Sequence, residues 1–250
     1  MTTPRRIVIV GATSAIAEHC ARRWVAVAPA DLTLVGRDAS RLDRLAADLR
    51  VRSPRSTIRV LAGDLVVPEA IASLLAIVDA DGPVDLALVA HGSLPDQAAL
   101  QDDIVAAAEA MAVNGVSPAL WAEGFAQRMT GRGTGTLVLI GSVAGDRGRK
   151  SNYVYGAAKG LLARYAEGMQ HRLAGSGVRV VLVKPGPTDT PMTAHLKAAG
   201  ARLASVDAVA AAIVRGVDRG ASTVYAPGLW RVIMLIIRHL PTAVFHRLEL

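Results

Sequence analysis

Short runs of aliphatic residues alternate with longer Ala-rich segments along most of this chain. The aliphatic runs show little alternation of apolar and polar residues, which is typical of parallel strands covered on both faces. They occupy residues 6–10, 31–36, 56–65, 84–90, 135–142 and 178–186, and the helical segments between them occupy 14–22, 38–52, 68–79, 100–130 and 154–174. This order predicts one α/β domain, a doubly wound and mainly parallel sheet with helices on both faces.

The net charge of +7 would suit a nucleic-acid partner, but the basic residues are scattered and only 4% of the residues are aromatic. We therefore expect no nucleic-acid partner, and an anionic cofactor or substrate accounts for part of the basic excess. The single cysteine, Cys20, excludes an internal disulfide, and no Cys/His cluster has the spacing of metal ligands. The apolar run at 7–10 is too short for a secretory signal and no long apolar span follows, so we expect a cytoplasmic protein.

The first aliphatic run leads straight into the turn GATSAIA and then into a helical segment. A phosphate group needs a turn without bulky side chains and the free N–H groups of a helix N-terminus. The turn meets both needs, which predicts a Rossmann-type dinucleotide site. Its predicted binding residues are Gly11, Thr13, Ser14, Ala15 and Ile16.

The second predicted strand ends in VGRDASRL. The residue after this strand faces the adenosine ribose in dinucleotide-binding folds, where an acid suits NAD and an arginine suits the 2′-phosphate of NADP. Arg37 stands at that position, with Arg41 one helical turn further on. We therefore expect a preference for NADP(H), with NAD(H) as the alternative.

Three residues near SNYVYGAAKG have the chemistry of a proton-transfer site. Ser142 ends a predicted strand, Tyr155 follows thirteen residues later, and Lys159 lies one helical turn beyond it. A free tyrosine has a pKa near 10, and a fixed ammonium about one turn away is expected to lower it. A serine hydroxyl can donate a hydrogen bond to the carbonyl oxygen of a substrate and polarise the carbonyl group. Tyr153 lies on another helix face, and we expect it to line the pocket wall.

These residues resemble the classical short-chain dehydrogenase/reductase family, over the chain to about residue 195. The family's Ser-x12-Tyr-x3-Lys pattern matches Ser142, Tyr155 and Lys159, and its upstream asparagine matches Asn114. Further cofactor positions implied by the family's motifs are Ala90, His91 and Gly92, then Asp64 and Leu65 in GDL, then Pro185, Gly186, Thr188 and Thr190 in VKPGPTDTPM. The resemblance implies a Rossmann cofactor-binding and catalytic core at 1–195. Residues 196–250 would add the substrate cleft and a hydrophobic C-terminal segment to the same domain.

Two features depart from the family pattern. The glycine-rich turn of the family has glycine where this chain has Ala15 and Ala17, and the methyl group of Ala15 is expected to weaken or shift cofactor binding. His91 replaces the family's asparagine or alanine, and we expect a buried, hydrogen-bonded imidazole rather than a catalytic one. Neither change removes the four catalytic positions.

The activity that the resemblance implies is reduction of a ketone to a secondary alcohol by NADPH. Ser142 would hold the carbonyl oxygen, Tyr155 would protonate it, Lys159 would bind the nicotinamide ribose, and Asn114 would hold a water on the proton path. Two alternatives stay open. One is an NAD-dependent alcohol dehydrogenase running oxidatively, and the other is a cofactor-binding regulatory protein without turnover, against which the intact catalytic set argues.

The C-terminal segment contains an apolar run at 232–237 with Trp230, Arg231, Arg238 and His239 at its ends. The run is too short to span a bilayer. It either packs against a second subunit or over the substrate cleft, or it lies as an interfacial helix on a membrane. The family resemblance implies a homodimer or homotetramer, in which the helices at 100–130 and 154–174 are expected to pair.

The tail and KPGPTDTPMTAHL also resemble a subgroup of reductases that act on lipid-linked ketones, such as decaprenylphosphoryl keto-pentoses. This resemblance implies a lipid-linked or otherwise hydrophobic substrate. It also implies peripheral contact of segment 229–250 with the inner membrane surface.

Overall fold

The computed structural model describes residues 4–248, and a single sheet of seven parallel strands organises them. Its spatial order is β3-β2-β1-β4-β5-β6-β7. The strands are β1 Arg5–Val10, β2 Ala30–Gly36, β3 Thr57–Ala62, β4 Leu86–Val89, β5 Gly135–Ile140, β6 Val178–Pro185 and β7 Thr223–Ala226. The predicted doubly wound parallel sheet is confirmed. Strand order reverses between β1 and β4, and a crevice opens at the carboxyl ends of strands at such a point.

The helices cover both faces of the sheet, as predicted. They are α1 Ala15–Val27, α2 Ala39–Arg52, α3 Pro68–Ala80, α4 Gln97–Asp102, α5 Ile104–Met111, α6 Ser117–Arg132, α7 Tyr153–Arg172, α8 Ala194–Ala198, α9 Val206–Asp218, α10 Trp230–His239 and α11 Thr242–Phe245. One buried cluster joins the sheet to α1, α2 and α9, and a second joins its other face to α3, α6 and α7.

Some elements lie outside the segments that the aliphatic pattern marks. β7 has only four residues at the sheet edge, and α9 follows residue 195, where the sequence offered no motif. The first three residues of the predicted 1–195 core, and the last two of the 196–250 part, lie outside the described residues.

A π-helical segment, Ala112–Val116, joins α5 to α6 without a break. The resulting helix, Ile104–Arg132, is long and apolar enough to cross a membrane by length and composition alone. Its side chains Trp121, Phe125 and Met129 are buried against the sheet, and the indole Nε1 of Trp121 donates to the carbonyl oxygen of Leu65 at 3.0 Å. It therefore serves as a core helix of the α/β domain.

The backbone of α7 lies directly against two glycines that precede it in the chain. A Cβ atom on Gly145 would lie 2.7 Å from the carbonyl carbon and oxygen of Lys159, and one on Gly115 would lie 2.8 Å from the carbonyl oxygen of Ala158. Real Cβ atoms do not approach backbone so closely. These glycines therefore let α7 pack against the turn after β5 and against the π-helical segment.

We expect Gly145→Ala to lower the free energy of unfolding by about 1–3 kcal/mol, because the added methyl group must push α7 away. Tm should fall by about 2–4 °C for each kcal/mol. Gly148→Ala is the matched control, since a Cβ there meets nothing within 4 Å. Thermal denaturation followed by circular dichroism compares the two. Equal Tm values for both variants would contradict this account of the packing.

Candidate active site

A cleft of about 170 Å³ opens at the carboxyl ends of β1, β4, β5 and β6. It brings together the four predicted catalytic residues, Asn114, Ser142, Tyr155 and Lys159. The predicted cofactor residues that also line it are Ser14, Ile16, Ala90, His91, Gly92, Pro185, Gly186, Thr188 and Thr190. Residues that are far apart in the sequence therefore face one space.

The other predicted cofactor residues lie around this cleft rather than in it. Gly11 is buried with φ +75°, and a Cβ there would lie 2.5 Å from the backbone nitrogen of His91. Thr13 and Ala15 belong to the turn and the start of α1 that follow Gly11. Leu65 packs in the core beneath α6. Gly11 and Leu65 thus support the crevice from below.

Arg37 and Asp64 are exposed beside each other at the outer end of the crevice. The Asp64 carboxylate accepts hydrogen bonds from the backbone N–H groups of Val66 and Val67, at 2.6 and 2.9 Å. These bonds lower its pKa, and the charge of Arg37 adds to the effect. The Asp64 carboxylate is therefore ionised and fixed in direction, while Arg37 stays available at the rim.

The β1–α1 turn has the features that a dinucleotide phosphate requires. Ser14 is the N-cap of α1, but its hydroxyl makes no capping hydrogen bond and instead lines the cleft. The guanidinium of Arg41 donates to the carbonyl oxygen of Thr13 at 3.1 Å, which places a cation beside this turn. A free hydroxyl, the N–H groups of the first helical turn and a nearby cation fit a pyrophosphate. Among residues 4–248, no group of three His, Cys, Asp or Glu side chains could hold a metal ion.

The π-helical segment carries Asn114 into the cleft. Its amide Nδ2 donates to the carbonyl oxygen of Ala110 at 2.9 Å, and its Oδ1 accepts from the backbone N–H of Ser93 at 2.9 Å. A Cβ on Gly92 would lie 2.8 Å from that Oδ1. The Asn114 amide therefore links α5 to the loop after β4 and depends on glycine at position 92. π-helical segments are frequent at functional sites.

Lys159 is a buried cation, 3% exposed, at the floor of the cleft. Its Nζ donates to the carbonyl oxygen of Ile140 at 3.0 Å and lies 5.8 Å from the ring centroid of Tyr155. Burial lowers the Lys159 pKa to about 8. The ammonium is thus mostly charged at neutral pH and carries unused donors toward the cleft.

The pKa of Tyr155 departs from the sequence-based expectation. Burial raises it above its ordinary value, and the hydrogen bond with the Ser142 side chain opposes this increase. The expectation that Lys159 lowers the pKa of Tyr155 is therefore wrong. Burial raises this pKa by more than the hydrogen bond with Ser142 lowers it. The phenol therefore keeps its proton at neutral pH. Ser142 is the residue whose hydrogen bond to the phenol favours its ionised form.

His91 is buried beside the same cation. Its Nε2 lies 2.8 Å from the Ser117 hydroxyl, and its Nδ1 has no hydrogen-bond partner in the described part of the chain. Burial, with the charges of Lys159 and Arg37, lowers the His91 pKa to about 3. The predicted buried and hydrogen-bonded imidazole agrees with this environment, and the ring is neutral at neutral pH.

Several cleft residues carry no sequence motif. Arg149 and Asn152 line the cleft from the loop between Ser142 and α7, where nothing in the residue pattern marks them. Trp230 of α10 packs its indole onto Gly186, where a Cβ would overlap the ring. Tyr153, expected on the pocket wall, lines an adjacent cavity instead.

A buried ion pair holds the segment that leads to Pro185 and Gly186. The Lys184 Nζ lies 2.5 Å from one oxygen of the Asp146 carboxylate, and the Tyr225 hydroxyl donates to the other at 2.9 Å. Burial, together with the hydrogen bond to Asp146, raises the pKa of Tyr225 to about 12. Beyond this pair, the buried Thr188 hydroxyl donates to the carbonyl oxygen of Gly186 at 2.9 Å. The turn after β5 and the end of β6 are thereby joined.

Comparisons with known proteins agree with this geometry. The sequence model of the short-chain dehydrogenase family matches residues 5–200. An uncharacterized oxidoreductase of Streptomyces coelicolor is 35% identical over 249 residues, which are 98% of this chain and 96% of the relative. A galactitol 2-dehydrogenase (L-tagatose-forming) of Cereibacter sphaeroides is 31% identical over 192 residues, which are 76% of this chain and 73% of the relative. A short-chain dehydrogenase of Sphingobium yanoikuyae, solved in complex with NADPH, is 25% identical, with a TM-score of 0.81 over 96% of this chain and 97% of its own.

The depressed pKa of His91 predicts an acid-side loss of stability. The unfolded chain takes up a proton near pH 6.5 and the folded protein only near pH 3, so the free energy of unfolding falls as pH falls through this window. We expect the Tm of His91→Asn to fall less than the Tm of the wild type when the pH is lowered from 7.5 to 5. His171→Asn, at an exposed histidine, should behave like the wild type. An unchanged pH dependence in His91→Asn would refute the burial of a neutral ring.

Proposed function

Because the chain belongs to the short-chain dehydrogenase family, an NAD(P)-dependent group of oxidoreductases, we propose that it reduces a ketone to a secondary alcohol with NADPH. The observation that carries the proposal is that Ser142, Tyr155 and Lys159 face one cleft beside a phosphate-type turn. The NADPH complex of the Sphingobium yanoikuyae relative supports the choice of cofactor.

The residues that would hold the cofactor follow the crevice. The Ser14 hydroxyl and the first N–H groups of α1 would bind the pyrophosphate, and Arg37 with Arg41 would bind the 2′-phosphate. Lys159 would bind the nicotinamide ribose, and His91 would contribute to the cofactor site beside it. When bound, NADPH supplies the hydride that the carbonyl carbon accepts.

Proton transfer is the task of the chain's own residues. The Ser142 hydroxyl donates to the carbonyl oxygen and polarises it. The Tyr155 phenol gives its proton to that oxygen as negative charge develops, and the Lys159 ammonium would hold the nicotinamide ribose beside it. Because burial keeps the phenol protonated, the acid that ketone reduction requires is present at neutral pH. A water at Asn114 would return the proton from solvent.

The decisive experiment measures NADPH and NADH oxidation against a panel of ketones that includes lipid-linked and long-chain examples. We expect NADPH to be preferred, and Tyr155→Phe to lower kcat by about 10²–10⁴-fold, the contribution of a general acid. NADPH binding, followed by fluorescence, should stay unchanged in that variant. Full activity in Tyr155→Phe would overturn the role of Tyr155. Tight NADPH binding without turnover of any ketone would instead favour the regulatory alternative.

The outer face of α10 supports a role at a membrane surface in the cytoplasm. Leu229, Val232, Leu235 and Ile236 are each more than half exposed, while Met234 is buried against the domain. Arg231 and Arg238 lie at the two ends of this face. Exposed aliphatic residues between cations suit the headgroup region of an anionic bilayer, where a lipid-linked ketone would be found.

The paired substitution Leu235→Asn and Ile236→Asn tests this surface. We expect the wild type to cosediment with vesicles of anionic phospholipid and the double variant to remain in solution, with turnover of a short soluble ketone unchanged. Sedimentation velocity of both proteins is the control. If the double variant changes the oligomeric state instead and neither protein binds vesicles, the face is a subunit contact. If the α10 face is not a subunit contact, we propose that the subunits of a homodimer or homotetramer pair through α5, α6 and α7.

A further inference from the structure

Arg149 lies between Ser142 and Tyr155 in the chain and faces two cavities. One is the catalytic cleft, and the other is an adjoining cavity of about 340 Å³. The second cavity is lined by Gly148, Arg149, Lys150, Tyr153, Phe245, His246 and Leu248. Arg149 is therefore shared by the walls of the catalytic cleft and of the adjoining cavity.

Among residues 4–248, no carboxylate forms an ion pair with the guanidinium of Arg149. Its Nε is buried without a hydrogen-bond partner in the described part of the chain, and burial lowers its pKa. The carboxylate whose charge reaches it is Asp146, but both oxygens of that group are already bound by Lys184 and Tyr225. A half-buried cation left in this condition costs free energy until an anion satisfies it.

The neighbouring arginine shows what a structural role looks like in the same loop. The Nη1 of Arg147 donates to the carbonyl oxygens of Ile237 and Leu240, at 2.5 and 2.8 Å, and its guanidinium stacks 3.8 Å above the ring of Phe245. Arg147 thus holds the end of α10 in place. Arg149 makes no contact of this kind, so its place in the cavity wall needs another explanation.

The remaining walls of the catalytic cleft indicate the chemical character of the rest of a molecule whose anionic group would satisfy Arg149. Leu94, Val143, Met192 and Leu196 give the substrate side an apolar lining. The buried Oδ1 of Asn152 also lacks a hydrogen-bond partner in residues 4–248. The cleft therefore suits a largely hydrophobic molecule with one charged group rather than a polyhydroxylated one.

We propose that Arg149 binds an anionic group, a carboxylate or a phosphate, on a hydrophobic ketone whose carbonyl lies at Ser142 and Tyr155. The inference rests on the proposed ketone reduction and names its substrate class. The planar guanidinium donates two parallel N–H groups to either anion, and the second cavity takes the part of the molecule beyond it. Arg149 is a binding residue that fixes which ketones are held.

The kinetic test uses 4-oxopentanoate, 6-oxoheptanoate and 9-oxodecanoate, each against its methyl ester, with NADPH. We expect kcat/KM for at least one acid to exceed that of its ester by about tenfold or more, since hydrogen bonds to charged groups contribute about 1.5–3 kcal/mol. Arg149→Gln should remove this preference by raising KM for the acids, so that kcat/KM for each acid falls to that of its ester. Arg164→Gln, at an exposed arginine paired with Glu167, is the charge-matched control and should keep it.

A binding measurement separates this inference from the reaction itself. Calorimetric titration of the NADP-loaded protein with decanoate and with decyl phosphate reads the anion site directly and shows which anion it prefers. Binding that weakens about tenfold in Arg149→Gln but not in Arg164→Gln supports the site even if no tested ketone is turned over. No binding of either anion, or equal binding by both variants, overturns it. Turnover of the esters without any preference for the acids would leave the reductase intact and the anion site refuted.

Discussion

The contact between the backbone of α7 and the turn after β5 is the constraint on which the site depends. Tyr155 and Lys159 are on that helix, and Ser142 precedes that turn, so their separation is set by how closely the two backbones approach. Gly145 and Gly115 allow this approach because neither carries a Cβ. The candidate catalytic side chains are thus positioned by main-chain packing, which varies less than side-chain rotamers do.

The cleft concentrates positive charge without matching carboxylates. Lys159 bonds a carbonyl oxygen, Arg149 forms no ion pair within residues 4–248, and Asp146, the nearby acid, is already neutralised by Lys184. The same environment keeps His91 neutral and Tyr155 protonated. A site of this kind attracts anions and stabilises negative charge that develops on an oxygen. Its electrostatics therefore fit both an anionic cofactor and the transition state of a carbonyl reduction.

The sheet and the helix layers were predictable from the sequence because they depend on local periodicity. The candidate catalytic residues could be selected because their spacing is fixed, and the structure brings them into one cleft. Ser142, Tyr155 and Lys159 are such a case, since one strand end and one helix determine their relation. The pKa of Tyr155 was not predictable in this way, because it depends on how much of the ring the folded protein buries. Arg149 and the contact of Trp230 with Gly186 also escaped, since loops and distant segments meet only through tertiary packing. The roles of all the site residues toward cofactor and substrate, those of Arg37 and Asp64 included, remain predictions.

The packing of Trp230 on Gly186 divides α10 into two sides with different freedom to vary. On the inner side, a residue larger than glycine at position 186 and an indole at position 230 exclude each other, so substitutions there must occur together. On the outer side, Leu235 and Ile236 touch little of the domain and can change one at a time. Relatives of this chain can therefore acquire different surroundings for the same helix while the segment beside the catalytic cleft keeps its shape.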